Sequence, residues 1–284
     1  MEIFMKLETR GLRKKYGRQV VLEDASGIYE PGIHVILGPN GAGKTTYMNI
    51  ICGLVTPEAG EVLYDDKPVR DQVKEFQSIL RMVFQRPPFQ ADYRAEEALE
   101  FYGYLCGIPK RELPAEINRV LEQVNLTSAR QKRVKQLSGG MRQRLAIAQM
   151  LMGRSELILL DEPSTGLDLK EREELKRILL HLKKDHIILL STHIISDADG
   201  IADYAAILKE GRTIRQGSID ELKQAFAGKV WAVPEGTQVP EEWIEKSYFD
   251  NGDQRVYAEQ CPFEGCGEIE NVKLQDIYFC SMMV

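Results

Sequence analysis

Residues 32–50 read GIHVILGPNGAGKTTYMNI, and this stretch decides the fold. Its first part, 32–38, is rich in β-branched and leucine side chains and predicts a strand buried on both faces. Residues 44–52 predict the helix that follows. The intervening loop fits the pattern G-x-x-x-x-G-K-[ST] at Gly38, Gly43, Lys44 and Thr45. A strand, a glycine-rich loop and a helix in this order are typical of a phosphate-binding loop.

The residue types of this loop suit the phosphates of a nucleotide. Its glycines allow the backbone N–H groups to point inward at the β-phosphate, and Lys44 neutralises β and γ oxygens. The hydroxyl of Thr45 suits Mg²⁺. The other loop residues that we expect to contact the nucleotide are Pro39, Asn40, Gly41, Ala42 and Thr46. A purely structural glycine-rich turn is the alternative, and the strand and helix on either side disfavour it.

Two adjacent acids follow a second apolar segment, in LILLDEP. Asp161 ends this predicted strand, where ligands of open α/β sheets gather, and its carboxylate is expected to hold Mg²⁺ through water. Glu162 lies one residue closer to solvent, where a carboxylate can orient an attacking water and accept its proton. A solvated turn is the alternative for two such acids, and the phosphate loop makes it the weaker one.

A second anion-binding pattern lies far downstream, in LSGGMRQRLAIAQ (137–149). Ser138, Gly139 and Gly140 precede a helix predicted over 141–153, with Gly153 as its C-cap. The N–H groups at a helix start have no internal partner and lie at the positive end of its dipole, so they suit a phosphate. This second site has no lysine or magnesium ligand of its own, and one nucleotide does not need it.

Strand and helix patterns alternate through the middle of the chain. The strand patterns are GIHVILG (32–38), ILRMVF (79–84), ELILLD (156–161) and HIILLS (186–191). A helix is predicted over 171–184, with its apolar residues three and four positions apart. This alternation favours an α/β fold with a mainly parallel sheet covered by helices.

The remaining segments predict smaller units around that sheet. Two helical patterns without a strand between them place a helical subdomain at about 88–153. Residues 204–217 predict a hairpin, and a helix starts after it at the capping box of Ser218 and Glu221. Turn residues increase after residue 227, and a hairpin is predicted at Asn251-Gly252. We therefore expect one domain over 1–227 and a small C-terminal domain over 228–284.

Composition restricts the class of protein. The chain of 284 residues carries a net charge of −6, which disfavours a primary nucleic-acid binder. Its apolar runs are shorter than the roughly 20 residues that a membrane-spanning helix needs. The N-terminus lacks the pattern of a secretory signal, so we expect a cytoplasmic location. The five cysteines are then expected to be reduced thiols.

With these motifs in this order, the sequence resembles the ATP-binding-cassette (ABC) ATPases, which are the nucleotide-binding subunits of ABC transporters. LSGGMRQR matches their signature, Gln85 in MVFQRPP their Q-loop, 164–168 their D-loop, His193 in STH their switch histidine, and Tyr16 in KKYG their adenine-stacking aromatic. Met141 and Gly166 depart from the commonest residues of these motifs. Neither departure puts catalysis in doubt.

The resemblance implies ATP and Mg²⁺ as ligands and assigns roles to individual residues. Glu162, His193, Gln85 and Lys44 are expected to be catalytic, and Thr45, Gln85 and Asp161 to serve the metal. Ser138, Gly139, Gly140 and Asp168 are expected to contact ATP across a dimer. The fold implied is a P-loop NTPase core sheet with an N-terminal antiparallel β subdomain, a helical subdomain and a small C-terminal α+β appendage.

The resemblance also implies partners. A second cassette would place its own phosphate loop opposite LSGGMRQR, which gives the surplus anion site a ligand. A separate transmembrane permease is expected to contact the loop after Gln85, where Phe89 and Tyr93 look exposed. The C-terminal tail resembles that of bacterial exporter ATPases. A soluble ABC ATPase of translation or DNA repair is the alternative, and a non-hydrolysing regulatory subunit is disfavoured because the catalytic residues are present.

Overall fold

A computed structural model of the chain describes residues 5–83, 89–250 and 252–283. Gln85 and Asn251 lie outside the described residues. The strands are β1 Leu7–Tyr16, β2 Gln19–Tyr29, β3 Gly32–Leu37, β4 Ala59–Tyr64, β5 Lys67–Pro68, β6 Leu80–Val83, β7 Leu157–Asp161, β8 Ile187–Thr192, β9 Tyr204–Lys209, β10 Arg212–Ser218, β11 Val230–Ala232, β12 Ser247–Asp250, β13 Asp253–Tyr257 and β14 Gly267–Glu268. The helices are α1 Lys44–Ile51, α2 Val73–Ile79, α3 Ala95–Leu105, α4 Leu113–Gln123, α5 Gly139–Met150, α6 Leu169–Leu182, α7 Ile195–Ala198, α8 Ile219–Phe226, α9 Glu241–Ile244 and α10 Leu274–Met283.

The large sheet has ten strands in the order β5-β4-β1-β2-β10-β9-β3-β8-β7-β6. The strands β9, β3, β8, β7 and β6 pair in parallel, whereas β1, β2, β4 and β5 pair in antiparallel fashion. Both the mainly parallel core sheet and the N-terminal antiparallel part are therefore confirmed. Because parallel strands run the same way, the carboxyl ends of β3, β7 and β8 lie at one edge of the sheet.

Helices cover both faces of the parallel strands, and this explains their apolar sequences. Every residue of β3 and β8 is buried. One face packs against α1 and α2, and the other against α3 to α6. The predicted apolar stripe of α6 is confirmed, since Leu175, Ile178, Leu179 and Leu182 are its buried residues. Within the described ranges, no helix has the length and apolar character that crossing a lipid bilayer requires.

Several element boundaries differ from those predicted. Helix α5 begins at Gly139 rather than at residue 141, so both signature glycines belong to its first turn. It ends at Met150 with Leu151 as C-cap, and the predicted cap at Gly153 is wrong. Helix α2 was not predicted, and because it ends at Ile79, the following strand begins at Leu80 rather than at residue 79. The capping box of Ser218 and Glu221 is confirmed at the start of α8.

The chain after α8 forms a second sheet of four strands, in the order β12-β13-β11-β14. The predicted hairpin is confirmed by the antiparallel pairing of β12 with β13. Helix α10, which the sequence patterns did not indicate, packs back against α8 and β9. Its buried Ile277 and Cys280 belong to the same apolar core as β3, and Lys209 Nζ donates to Met282 O at 2.9 Å.

A buried ionic cluster fastens α10 to the second sheet. Arg255 on β13 donates from Nη1 to both carboxylate oxygens of Asp276, at 2.6 and 2.8 Å. Tyr248 donates its hydroxyl proton to the same carboxylate at 2.8 Å, and Asp276 has no exposed surface. A charge without solvent depends on its partners, and loss of Asp276 would leave Arg255 with Asp250 as its remaining carboxylate partner among the described residues.

Replacing Asp276 by Ala should therefore destabilise the chain by about 3 kcal/mol, because it leaves Arg255 with part of its buried charge uncompensated. Urea unfolding measures the change. Asp253→Ala is the matched control, because Asp253 is exposed on the same strand as Arg255, and it should cost less than about 0.5 kcal/mol. Equal losses in the two variants would contradict the role given to this cluster.

Candidate nucleotide site

The phosphate loop is held in a conformation that only glycine adopts freely at two positions. Gly41 and Gly43 have φ angles of 84° and 101°, and Gly43 is the N-cap of α1. An ideal Cβ on Gly43 would lie 2.7 Å from Leu22 Cδ2 and 2.8 Å from Val21 O. Pro39, Asn40 and Gly41 are exposed. The loop is thus closely backed on one side and open to solvent on the other.

Lys44 opens α1 and is buried beneath the loop. Its Nζ donates to Gly38 O at 2.8 Å and to Pro39 O at 3.1 Å. Burial lowers the pKa of Lys44, while the nearby carboxylates of Glu162 and Asp161 act in the opposite direction. An additional anion beside this ammonium group would favour its charged form.

Glu162 brings the predicted catalytic residues together at the edge of the sheet. Its Oε1 lies 3.0 Å from His193 Nδ1 and 3.9 Å from Lys44 Nζ. The backbone of Glu162 has a φ of 47°, in the left-handed region, and its N–H donates to Ser191 O at 3.1 Å. Three residues from three separate chain segments therefore meet at one point, as their positions after β3, β7 and β8 predict.

The predicted metal ligands offer oxygen atoms, which Mg²⁺ prefers. Asp161 ends β7 and accepts a hydrogen bond from Ser191 Oγ, and Thr45 is an exposed residue in the first turn of α1. These side chains fit a Mg²⁺ ion that arrives with a nucleotide, which it would serve by neutralising phosphate charge. The third expected ligand, Gln85, lies outside the described residues.

The signature segment forms a separate anion site at the start of α5. Ser138 is the N-cap, and its Oγ accepts from Met141 N at 3.2 Å. The same Oγ donates to Glu171 Oε1 at 2.8 Å, and Gly140 N donates to that oxygen at 2.9 Å. Within the described ranges, no hydrogen bond or ion pair joins Ser138, Gly139 or Gly140 to the group around Glu162. Among the described residues, the two predicted phosphate sites are therefore formed by different chain segments without a direct polar contact between them.

Asp197, which the sequence patterns did not indicate, forms a hydrogen bond with Ser164 of the D-loop. Asp197 is buried and accepts from Ser164 Oγ and, at 3.3 Å, from Arg172 Nη1. Asp168 is the N-cap of α6 and forms a capping box with Glu171. The spacing D-x-x-E was a usable signal for this capping box. No local pattern indicated Asp197, because its partners are 25 and 33 residues away.

Tyr16 lies at the end of β1, where half of its surface is exposed. Lys14 Nζ lies 5.6 Å from the centre of its ring. An exposed ring next to a cation is compatible with stacking on a base, and this role stays a prediction.

A phosphate loop between a parallel strand and a helix, with carboxylates at the same sheet edge, defines the chain as a P-loop nucleotide-binding protein. The family model described as ABC transporter matches residues 24–165. The chain is 34% identical over 241 residues to the uncharacterized ABC transporter ATP-binding protein YxlF of Bacillus subtilis, covering 84% of this chain and 80% of that protein. It is 33% identical over 224 residues to Nod factor export ATP-binding protein I of Cupriavidus metallidurans, covering 78% and 74%.

Solved structures to which the chain is similar also come from ABC transporters. CbiO1 of Clostridium perfringens, part of an ABC transporter complex, has a TM-score of 0.70 and 27% identity, covering 76% of this chain and 89% of that one. The dimeric bacterial ABC transporter cassette MJ0796 has a TM-score of 0.67 and 26% identity, covering 75% and 98%. The chain belongs to the ABC transporter family, as an ATP-binding subunit.

The packing behind the phosphate loop predicts unequal costs for two glycine substitutions. Gly43→Ala should destabilise the nucleotide-free chain by about 3 kcal/mol, because the new methyl group adds a clash to a left-handed backbone. Gly41→Ala, which has nothing within 4 Å of its Cβ position, should cost only about 1 kcal/mol. Denaturant unfolding without nucleotide measures both. Equal costs would show that the backing by Leu22 and Val21 is not tight.

Proposed function

We propose that two copies of this cassette, or this cassette and a related one, close around two ATP molecules and hydrolyse them to drive a separate permease. Each nucleotide would lie between the phosphate loop of one chain and the start of α5 in the other. The observation that carries the proposal is the separation of two anion sites within one chain. One nucleotide uses the first site, so a phosphate at the second site would belong to a nucleotide held elsewhere.

The first site supplies the chemistry of hydrolysis. A water molecule attacks the γ-phosphorus, the bond to the β-γ bridging oxygen breaks, and the water proton passes to the carboxylate of Glu162. His193, 3.0 Å from that carboxylate, would orient it and contact the γ-phosphate. Lys44 neutralises charge on the β and γ oxygens. Thr45 and Asp161, with Gln85, would hold Mg²⁺.

The second site supplies the energy that closes the dimer. A hydrogen bond to a charged group contributes about 1.5–3 kcal/mol, so two such bonds at each of two sites would give roughly 6–12 kcal/mol. Moving an equilibrium from 1:99 to 99:1 requires about 5.5 kcal/mol. The gross contribution of bonds from Ser138 and Gly140 to a partner's γ-phosphate therefore exceeds this requirement, before the bonds that they replace are subtracted, and loss of that phosphate would open the dimer.

An exposed apolar side chain beside the second site also favours the binding of a second cassette there. Leu169, directly after Asp168, is 78% exposed at the start of α6. A large apolar side chain beside the signature segment is easily covered when another cassette packs there. The dimeric state of the similar cassette MJ0796 supports the same arrangement.

Glu162→Gln should keep ATP binding, slow hydrolysis by about 10²–10⁴-fold and accumulate ATP-bound dimers, because the amide cannot accept the proton. Phosphate release measures hydrolysis, and light scattering measures dimers. Glu235→Gln, an exposed residue after β11, is the control and should behave like the unmodified chain.

Adding Ser138→Ala to Glu162→Gln should then prevent the dimers from accumulating, since the partner's γ-phosphate loses a donor. Near-normal turnover in Glu162→Gln would remove Glu162 from the role of base. If the double variant forms as many ATP-bound dimers as Glu162→Gln alone, the signature segment does not belong to the shared site.

We propose export as the direction of transport, with the chain attached through its permease to the cytoplasmic face of the membrane. The similarity to an ATP-binding protein of Nod factor export supports this direction. The family match favours a transporter over a soluble ABC ATPase of translation or DNA repair.

The permease would bind at an aromatic face of the helical subdomain. Phe101, Tyr104 and Leu105 lie at helical spacing on α3 and are all exposed. Tyr93 is also exposed, and its ring lies 6.5 Å from that of Phe101. Phe89, in contrast to Tyr93, is half-buried against the large core. The prediction that Phe89 is exposed is therefore wrong. Tyr93 and Phe101 are therefore the better residues for contact.

Replacing both Tyr93 and Phe101 by Ala should lower the fraction of the chain that sediments with native membranes at least tenfold, because each truncated aromatic anchor costs more than about 1 kcal/mol. Phe249→Ala removes an even more exposed ring from β12 and should leave sedimentation unchanged. Thermal unfolding confirms that both variants are folded. Full membrane association of the double variant would exclude this face as the permease contact.

A further inference from the structure

The anion site at the start of α5 already holds an anion from the same chain. Glu171 Oε1 accepts from Ser138 Oγ at 2.8 Å and from Gly140 N at 2.9 Å. These are the two donors that the proposed dimer requires for the partner's γ-phosphate. One pair of donors cannot hold a carboxylate and a phosphate in the same direction, and the two negative charges would repel each other.

The carboxylate of Glu171 packs closely against the backbone of Gly140. An ideal Cβ on Gly140 would lie 2.4 Å from Glu171 Cδ and 2.5 Å from its Oε1. The carboxylate therefore lies directly against the backbone of the signature glycine, in space that any side chain at residue 140 would fill. A phosphate that approaches the same N–H group must first displace Glu171.

The same carboxylate also closes the capping box of its own helix, so it can stay hydrogen-bonded to the start of α6 when it leaves α5. It is the third residue of α6, and its Oε2 faces Asp168 N at 3.4 Å, while Glu171 N donates to Asp168 Oδ1 at 2.8 Å. A carboxylate in the first turn of a helix is stabilised by the helix dipole and by the capping box. Among the ion pairs of the described residues none includes Glu171, so no salt bridge holds the side chain on α5.

We propose that the carboxylate of Glu171 is an internal competitor of the partner's γ-phosphate. In the nucleotide-free chain it satisfies the donors at the start of α5. When two cassettes close around ATP, it gives up its hydrogen bonds to α5 and keeps the one to Asp168 N at the start of its own helix α6. Its presence raises the ATP concentration at which the dimer closes. This regulation rests on the proposed function, since it acts on the same two-chain site.

The ground state can be tested without nucleotide or dimer. In the isolated chain, the amide of Gly140 has Glu171 as its acceptor, so Glu171→Ala should accelerate hydrogen exchange at Gly140 several-fold. Glu173→Ala is the matched control, because Glu173 is exposed on the same helix and pairs with Lys176 rather than with α5 among the described residues. Equal exchange in the two variants would show that the carboxylate does not hold this donor.

The competition is tested in the full chain that carries Glu162→Gln, so that ATP binds without turnover. Adding Glu171→Gln keeps the capping box but removes the charge. Because charge-assisted hydrogen bonds are about twice as strong as neutral ones, we expect half-maximal dimer formation at about tenfold lower ATP. Adding Glu173→Gln instead should leave the ATP dependence unchanged. Light scattering against ATP concentration measures all three chains.

The outcomes separate this inference from the proposed function. If Glu171 instead positions Ser138 for the phosphate, Glu171→Gln will raise the ATP requirement, and the competitor role is wrong. An ATP dependence within twofold of the Glu162→Gln chain would also overturn it, with the shared site left intact. If none of the three chains forms dimers with ATP, the two-chain site itself fails, and the regulation fails with it.

Discussion

The two predicted phosphate sites share one constraint, which is that the N–H groups at a helix start need an anion or a polar partner. The starts of α1 and α5 face this need in the same chain. Beside α1, the carboxylate of Glu162 lies between Lys44 and His193. At α5, the carboxylate of Glu171 lies on Ser138 and Gly140. The chain thus uses its own acids at the places where ATP is expected to present phosphate.

The large sheet makes the first of these places rigid. Gly38 approaches β9 so closely that an ideal Cβ would lie 2.6 Å from Leu208 O. The turn between β9 and β10 donates from Gly211 N to Ala42 O at 3.2 Å, so this hairpin supports the loop from behind. The parallel pairing of β3 with β8, and of β8 with β7, then places His193 and Glu162 beside it. Distant segments meet at this edge because the strands share one direction.

The sequence predicted that Lys44, Glu162 and His193 lie close together because the signals for their positions are local. Loop spacing, apolar strands and the acids after β7 each lie within a few residues, and strand direction brings them together. The contact between Glu171 and Gly140 spans 31 residues and depends on how α6 packs against α5, which no local pattern specifies. The contacts of Asp197 also join distant segments, so no local pattern predicted them. Phe89 was predicted to be exposed because its packing against the large core is not visible in the local sequence either. Helix α10 lacks a clear apolar stripe, since it is apolar on most sides, and so its helical period was not visible.

The carboxylate of Glu171 changes the free energy that a bound phosphate contributes to dimer closure. A helix start with unsatisfied donors would accept many anions and would favour unspecific association. Because Glu171 fills these donors, a ligand gains only the difference between its own bonds and those of the carboxylate. A γ-phosphate offers more charge and more acceptor oxygens than a carboxylate, so it has an advantage that ADP, which lacks the γ-phosphate, does not. The competitor thereby makes closure sensitive to the one group that hydrolysis removes.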